Sequence, residues 1–319
     1  MHVSISRVPS AEDSVLLEAQ AWLLLRALAA RASSGQPVTC RCGVRLDPAN
    51  QLQQVALGRG WIDLHPGAAK SFVATLALPP SVEHLFEIFL PLCVGESAAD
   101  FVVAHVGQSL DGQIATSTGA SCFITGHQDL VHTHRLRALF DAIVVGRATV
   151  VCDDPRLTTR LVPGPNPARV VLDPRRRSPV DRHVFRDGAA QTLLMCGPSS
   201  GGGLSHGQAE VVEVMTAPGD LMEPAEILAL LRRRGLRRIF VEGGGVTVSS
   251  FLGAGVVDRL HLAISPIILG QGHPGLTLRK IDGLDQALRP KVRRFSLGQD
   301  LLFDCEFQPV RSYALVRRT

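Results

Sequence analysis

From residue 100 onward the chain alternates short apolar runs with stretches long enough for a helix, and few folds accept that pattern. Phe101-Val102-Val103-Ala104-His105-Val106, Ala142-Ile143-Val144-Val145, Arg169-Val170-Val171-Leu172, Thr192-Leu193-Leu194-Met195, Val211-Val212-Glu213-Val214, Arg238-Ile239-Phe240-Val241 and Leu260-His261-Leu262-Ala263-Ile264 each read as a strand. His127 to Phe140 and Pro224 to Arg234 read as helices, the second with proline near its start and Gly235 past its end. Near-continuous apolar strands belong to a parallel sheet covered on both faces. The expected class is therefore α/β, with a mostly parallel sheet flanked by helices.

Residues 1–97 read differently and form an appended N-terminal region of unassigned role, with residues 98–319 as the second domain. The first part holds a leucine- and alanine-rich helix from Val15 to Ala30, capped by Asp13 or Ser14, and a second helix from Ser81 to Leu90 after Pro79-Pro80. Glu18, Gln20 and Arg26 interrupt the first helix, which is also short for a bilayer. No signal peptide is evident, so the cytoplasm is the expected location. The chain is 45% hydrophobic and 19% charged, which supports a buried core, and its net charge of +4 comes without the aromatic-interleaved basic stripe of a nucleic-acid binder.

Metal binding is not expected. The seven cysteines form no C-x-x-C pair, and Cys40-Arg41-Cys42 has a poor spacing for zinc, so they read as reduced, mostly buried thiols. His132 and His134, two apart on a helix, face different directions and read as solvated surface.

The chemistry concentrates at strand ends. Gly243, Gly244 and Gly245 follow the strand Arg238–Val241 and Glu242, and a helix over Val246–Leu252 comes next. Bare backbone followed by a helix N-terminus is a phosphate cradle. Three further segments also place small, hydroxyl or charged residues after strands: Gly107–Gly112, Thr118–Thr125, and Asp141–Val150 running into Asp153–Arg160. In open α/β sheets, ligands bind at that end.

In this order, S-L-D-G, T-G-x-S, R-A-x-x-D-A-I, T-V-x-x-D-D-P-x-L-T-x-R, V-x-D, E-G-G and P-x-x-L-G resemble the reductase domain of bacterial riboflavin biosynthesis, across roughly residues 100–310. That resemblance implies a fold similar to dihydrofolate reductase. It also implies NADPH-dependent reduction of the ribose of a phosphoribosylamino-pyrimidine to a ribityl chain, commonly by a homodimer. Ser121, Arg137, Leu157, Arg160 and Glu242 would bind substrate, the arginines near its 5′-phosphate. Gly107, Phe123, Thr149 and Asp153 would touch NADPH. Gly243, Gly244, Gly245, Val246, Thr247, Val248, Ser249 and Ser250 would wrap its pyrophosphate. Glu242 and Asp153 are the candidates for assisting proton delivery. By analogy, the stretch from Leu260 to Ile268 would supply an interface strand.

The family's bifunctional members carry a zinc deaminase marked by H-x-E and P-C-x-x-C. Neither motif is present here, so deamination is not expected. Gln113 stands where the family usually has a basic residue, Pro174 where a small hydroxyl residue is frequent, and Phe123 where tryptophan is. The alternatives are a pterin- or dihydrofolate-type reductase and a non-catalytic nucleotide-binding protein. Paired phosphate-holding arginines favour the first reading, since guanidinium forks grip phosphate and a pterin needs none.

Overall fold

The computed structural model describes residues 11–68, 71–75, 77–121, 124–201, 203–217 and 221–307. The chain divides into two compact units, Met1–Asp100 and Phe101–Thr319.

In the first unit, helix α1 (Ala11–Ser33) is followed by strands β1 (Cys42–Leu46), β2 (Leu52–Val55), β3 (Ile62–Leu64) and β4 (Phe72–Ala74), then helix α2 (Pro80–Cys93). The strands form an antiparallel sheet in the order β2-β1-β3-β4. Edge-to-face ring pairs join the layers: Trp22 meets Phe89 at 6.1 Å and Phe72 meets Phe86 at 5.6 Å. Helix α1 is described from Ala11, so Asp13 and Ser14 fall within the helical segment and not ahead of it. Helix α2 runs through Pro91 to Cys93, beyond the expected end at Leu90, because a proline so near the C-terminus removes only one helical hydrogen bond.

The second unit opens with β5 (Phe101–Ser109) and β6 (Gln113–Thr116), then α3 (His127–Leu139), β7 (Ala142–Gly146), α4 (Arg147–Asp153), β8 (Ala168–Leu172), α5 (His183–Arg186) and β9 (Thr192–Cys196). It continues with β10 (Ser205–His206), β11 (Ala209–Glu213), β12 (Thr216–Ala217), β13 (Leu221–Met222), α6 (Pro224–Arg233), β14 (Arg238–Glu242) and α7 (Gly245–Gly253). The last elements are β15 (Arg259–Ser265), β16 (Gly272–Pro274), β17 (Lys291–Leu297) and β18 (Asp300–Glu306). Ten strands form one sheet in the order β10-β11-β9-β8-β7-β14-β5-β15-β18-β17. The seven from β11 to β15 are mutually parallel, and β10, β18 and β17 are antiparallel additions at the two edges.

The expected mostly parallel α/β sheet is present. One face of it is aliphatic: Val102, Ala104, Val144, Val170, Leu193, Ile239 and Val241 pack against Ile227, Leu228 and Leu231 of α6 and Val248 and Phe251 of α7. After β5 the chain crosses to β7, moves outward to β11, then returns to lay β14 between β7 and β5. The carboxyl ends of those three strands meet where the winding reverses, which is where such sheets bind ligands. Strand β15 is paired on both sides, by β5 and by β18, so it offers no free edge for the interface strand expected over Leu260–Ile268.

Candidate active site

Each glycine at the end of β14 has its own structural reason. Gly243 and Gly244 adopt φ of 72° and 63°, where a side chain is strained. A Cβ on Gly244 would also stand 3.1 Å from the Thr149 hydroxyl oxygen. Gly245 has ordinary φ, but a Cβ there would collide with the Pro274 carbonyl oxygen and lie 2.8 Å from that of Gly275. Helix α7 starts at Gly245, so the N–H groups of Gly245 and Val246 have no acceptor within the helix. Val246 is 83% exposed, which leaves this first turn open to an anion. The loop fits a dinucleotide pyrophosphate: it is a cradle that a side chain would fill, with amides at its rim. The cradle is shorter than the sequence suggests. Val248 is buried in the aliphatic core and the Ser249 hydroxyl accepts the Thr277 N–H at 2.8 Å, because the second helical turn rotates both toward the interior. Ser250 lies farther along the helix and is exposed.

Glu242, just before the glycines, is held by Arg137 of α3. Arg137 Nε donates to Glu242 Oε2 at 2.8 Å and Nη2 to Oε1 at 2.5 Å. Arg137 Nη1 donates to the Thr158 carbonyl at 3.0 Å, and Arg160 Nη1 reaches the same carbonyl at 3.3 Å and the Thr158 hydroxyl at 2.6 Å. The two arginines thus converge on one main-chain oxygen. Arg137 is buried and largely engaged, whereas Arg160 is exposed. Burial, then the charges of Arg137 and Arg156, lower the Arg160 pKa, so the cluster has positive charge in excess of its one carboxylate. Leu157 is buried in a left-handed conformation (φ 55°), a strained backbone held by its packing.

The Ser121 hydroxyl donates to Asp153 Oδ1 at 3.0 Å, so residues assigned separately to substrate and cofactor form one pair. Thr149, on α4, faces the glycine loop, and a Cβ on Gly107 would meet Thr125 and lie 3.2 Å from Asp129 Oδ2. Phe123 lies outside the described residues. Asp111 of S-L-D-G accepts the Ser109 hydroxyl at 2.5 Å and the N–H groups of Leu269 and Gly270 at 3.1 and 2.7 Å, tying S-L-D-G to P-x-x-L-G.

A buried polar row crosses the sheet from this site. Glu242, His105, His261, Asp304 and Arg293 are successive register partners on β14, β5, β15, β18 and β17. Helix α3 covers the row. Its Asp129 accepts from or pairs with His105 Nε2 at 2.8 Å, and its His132 Nε2 meets His261 Nδ1 at 2.9 Å. Asp304 binds Arg259 at 2.8 Å and Arg293 at 2.6 Å, and these charges with His261 outweigh burial and hold its carboxyl far below the usual range. His132 and His134 are therefore buried and not solvated surface, because α3 turns a polar stripe toward the sheet.

A family model described as the RibD C-terminal domain matches residues 100–295. The chain belongs to this family. The 2,5-diamino-6-ribosylamino-4(3H)-pyrimidinone 5′-phosphate reductase of Methanothermobacter thermautotrophicus is 38% identical over 213 residues, 64% of this chain and 96% of that protein. Riboflavin biosynthesis protein RibD of Aquifex aeolicus is 33% identical over 205 residues, 63% of this chain and 56% of that protein. Among solved structures, a diaminohydroxyphosphoribosylaminopyrimidine deaminase/5-amino-6-(5-phosphoribosylamino)uracil reductase from Thermotoga maritima aligns with a TM-score of 0.55 at 27% identity, covering 71% of this chain and 61% of that one. The chain thus spans little more than half the length of these longer RibD relatives.

Within this RibD-type domain the structure brings Arg137 to Glu242, Arg137 and Arg160 to the Thr158 carbonyl, Thr149 to Gly243 and Gly244, and Ser121 to Asp153. Sequence reasoning missed His105, Asp129, His134 and Thr158. The available signal was that α3, between two strands that need cover, lacks an apolar stripe. Among the described residues no group of His, Cys, Asp and Glu could hold a metal, and no helix is long and apolar enough to cross a membrane. Of the described cysteines Cys93, Cys196 and Cys305 are buried, Cys42 is half-buried, and Cys40 and Cys152 are exposed, so the thiols are less uniformly buried than expected.

Proposed function

We propose that this chain reduces the ribosyl group of a phosphoribosylamino-pyrimidine, the diamino compound or 5-amino-6-(5-phosphoribosylamino)uracil, to the ribityl form in riboflavin biosynthesis, with NADPH as reductant and residues 98–319 as the reductase. The observation that carries this reading is the Arg137–Glu242 pair, which stands between a second, exposed arginine and the glycine cradle. That order provides a grip for a terminal phosphate at one end and for a pyrophosphate at the other. The match over nearly all of the Methanothermobacter reductase supports the substrate class.

NADPH, when bound, would supply a hydride. The chain's residues bind and orient. Arg160 takes the substrate's 5′-phosphate, with Arg137 behind it adding charge and fixing Glu242. Glu242, with both oxygens already engaged by Arg137, accepts hydroxyl hydrogen bonds from the sugar or contacts the pyrimidine. Ser121 and Asp153 form the facing wall, where Asp153 keeps one oxygen for the cofactor or for a proton in transit. The N–H groups of Gly245 and Val246 meet the pyrophosphate, and Thr149 lies against the same loop. Positioning donor and acceptor at roughly 3–3.5 Å is the main contribution. The enzyme works as a homodimer in the cytoplasm, and light scattering reads the dimer.

The test is NADPH oxidation followed at the nicotinamide absorbance, with the diamino compound and the uracil offered separately. Turnover of either establishes the reductase and shows which side of deamination it serves. Tight NADPH binding with turnover of neither defeats the substrate assignment.

A further inference from the structure

His134 is buried on α3, at 5% exposure, beside the arginine cluster. Its Nδ1 faces two main-chain donors, the N–H of Arg160 at 2.8 Å and that of Leu161 at 3.3 Å. An accepting ring nitrogen carries a lone pair, so the ring proton belongs on Nε2. Nε2 lies 3.4 Å from Arg137 Nη1, a long contact whose donor depends on the tautomer and which the proton on Nε2 weakens. Burial first, then the charges of Arg137 and Arg160, push the His134 pKa down to about 4, which Glu242 only partly offsets. At neutral pH the ring is therefore an uncharged acceptor.

The segment from Leu157 to Leu161 is attached to the rest of the unit in four ways. The Leu157 side chain is buried, the Thr158 carbonyl takes Arg137, the Thr159 N–H and hydroxyl donate to Asn166 Oδ1 and the Pro165 carbonyl, and the Arg160 and Leu161 N–H groups meet His134. Of these, the His134 contact is the one that holds the main chain of Arg160 itself, and it ties that main chain to α3. We propose that His134 is a positioning residue for the anion-binding arm: it clamps the backbone of residues 160 and 161 to α3 so that the exposed Arg160 guanidinium faces the incoming phosphate. The identity of that phosphate as the substrate's rests on the reductase reading above; the clamp itself does not.

The experiment compares full-length wild-type protein with His134→Ala, His134→Asn and His134→Gln. Asparagine places its Oδ1 near the position of Nδ1, and glutamine places its acceptor one bond farther out. With NADPH and the phosphoribosylamino-pyrimidine, His134→Ala raises KM about tenfold with kcat within about twofold, His134→Asn returns KM to within about threefold of wild type, and His134→Gln does not. The same four proteins are titrated calorimetrically with inorganic phosphate, where wild type and His134→Asn bind about tenfold more tightly than the other two. A fall in kcat at unchanged KM, or equal damage by Asn and Gln, overturns the proposal, as does equal phosphate binding by all four proteins. If wild type does not turn over but the phosphate pattern holds, the reaction assignment fails and the clamp stands. A wild type that neither binds phosphate nor turns over removes both. Should His134→Ala fail to fold, the Asn and Gln pair decides the matter.

Discussion

Arg137 holds Glu242 by two nearly parallel hydrogen bonds, Nε to Oε2 at 2.8 Å and Nη2 to Oε1 at 2.5 Å, and both side chains are largely shielded from water. This fork ties α3 to the end of β14 directly before the glycine cradle. Removing one partner strands the other's charge. Arg137→Met is expected to cost about 3–5 kcal/mol of stability by urea unfolding, while the double replacement Arg137→Met with Glu242→Leu recovers part of that loss. A single replacement costing less than about 1 kcal/mol would show that the fork is weak.

Gly245 has no positive φ to explain it, only the close carbonyls of Pro274 and Gly275. Gly245→Ala is therefore expected to weaken NADPH binding by at least about tenfold, measured by fluorescence titration, because the α7 amides shift away from the phosphates. Gly253→Ala is the control. Its Cβ would meet nothing nearer than 3.9 Å, and NADPH affinity stays at the wild-type level.

Arg160 is exposed and near two other guanidinium groups. Arg160→Ala is expected to raise KM for the phosphorylated substrate by about ten- to a hundredfold, and Arg160→Lys by less, since a point charge keeps attraction but loses the fork. Unchanged KM in Arg160→Ala removes this residue from the phosphate grip.

The His105–Asp129 pair gives a pH dependence. Burial pushes His105 down, but the Asp129 charge and hydrogen bond, aided by Glu242 against Arg137, leave it raised. Burial pushes Asp129 up, but His105, Thr125 and His261 leave it lowered. A raised histidine contributes stability below its unfolded value of about 6.5 that is lost as pH rises through its folded value. A lowered aspartate contributes stability above about 3.9 that is lost as pH falls through its folded value. Asp129→Asn is thus expected to destabilise most between about pH 4 and 6.5 and less above the folded His105 pKa. Denaturation of both proteins across pH, with an NMR titration of His105, checks this. A difference that does not vary with pH rules out the ion pair.

The parallel sheet was legible because its strands are uninterrupted apolar runs, as in Ala142–Val145 and Ile239–Val241, buried on both faces. The glycine cradle was legible because positive φ and close backbone approach leave few alternatives to glycine. The polar face of helix α3 was not legible. His132 and His134 read as solvated surface, yet both are buried, and Asp129, His132 and Arg137 each find a partner on a strand far away in sequence: His105, His261 and Glu242. The role of Asp111 within S-L-D-G was equally hidden: it stitches two loops together. Partners brought together by tertiary packing leave no local period in a sequence.

The contact between Gly245 and the Pro274–Gly275 main chain has a consequence for redesign. Both surfaces are main chain, so no exchange of side chains along residues 272–275 can widen the gap, and any side chain at 245 narrows it. Retuning the cradle for another dinucleotide must therefore proceed through the flanking hydroxyls, Thr149 and Thr247, or through a change in the length of the 266–275 loop.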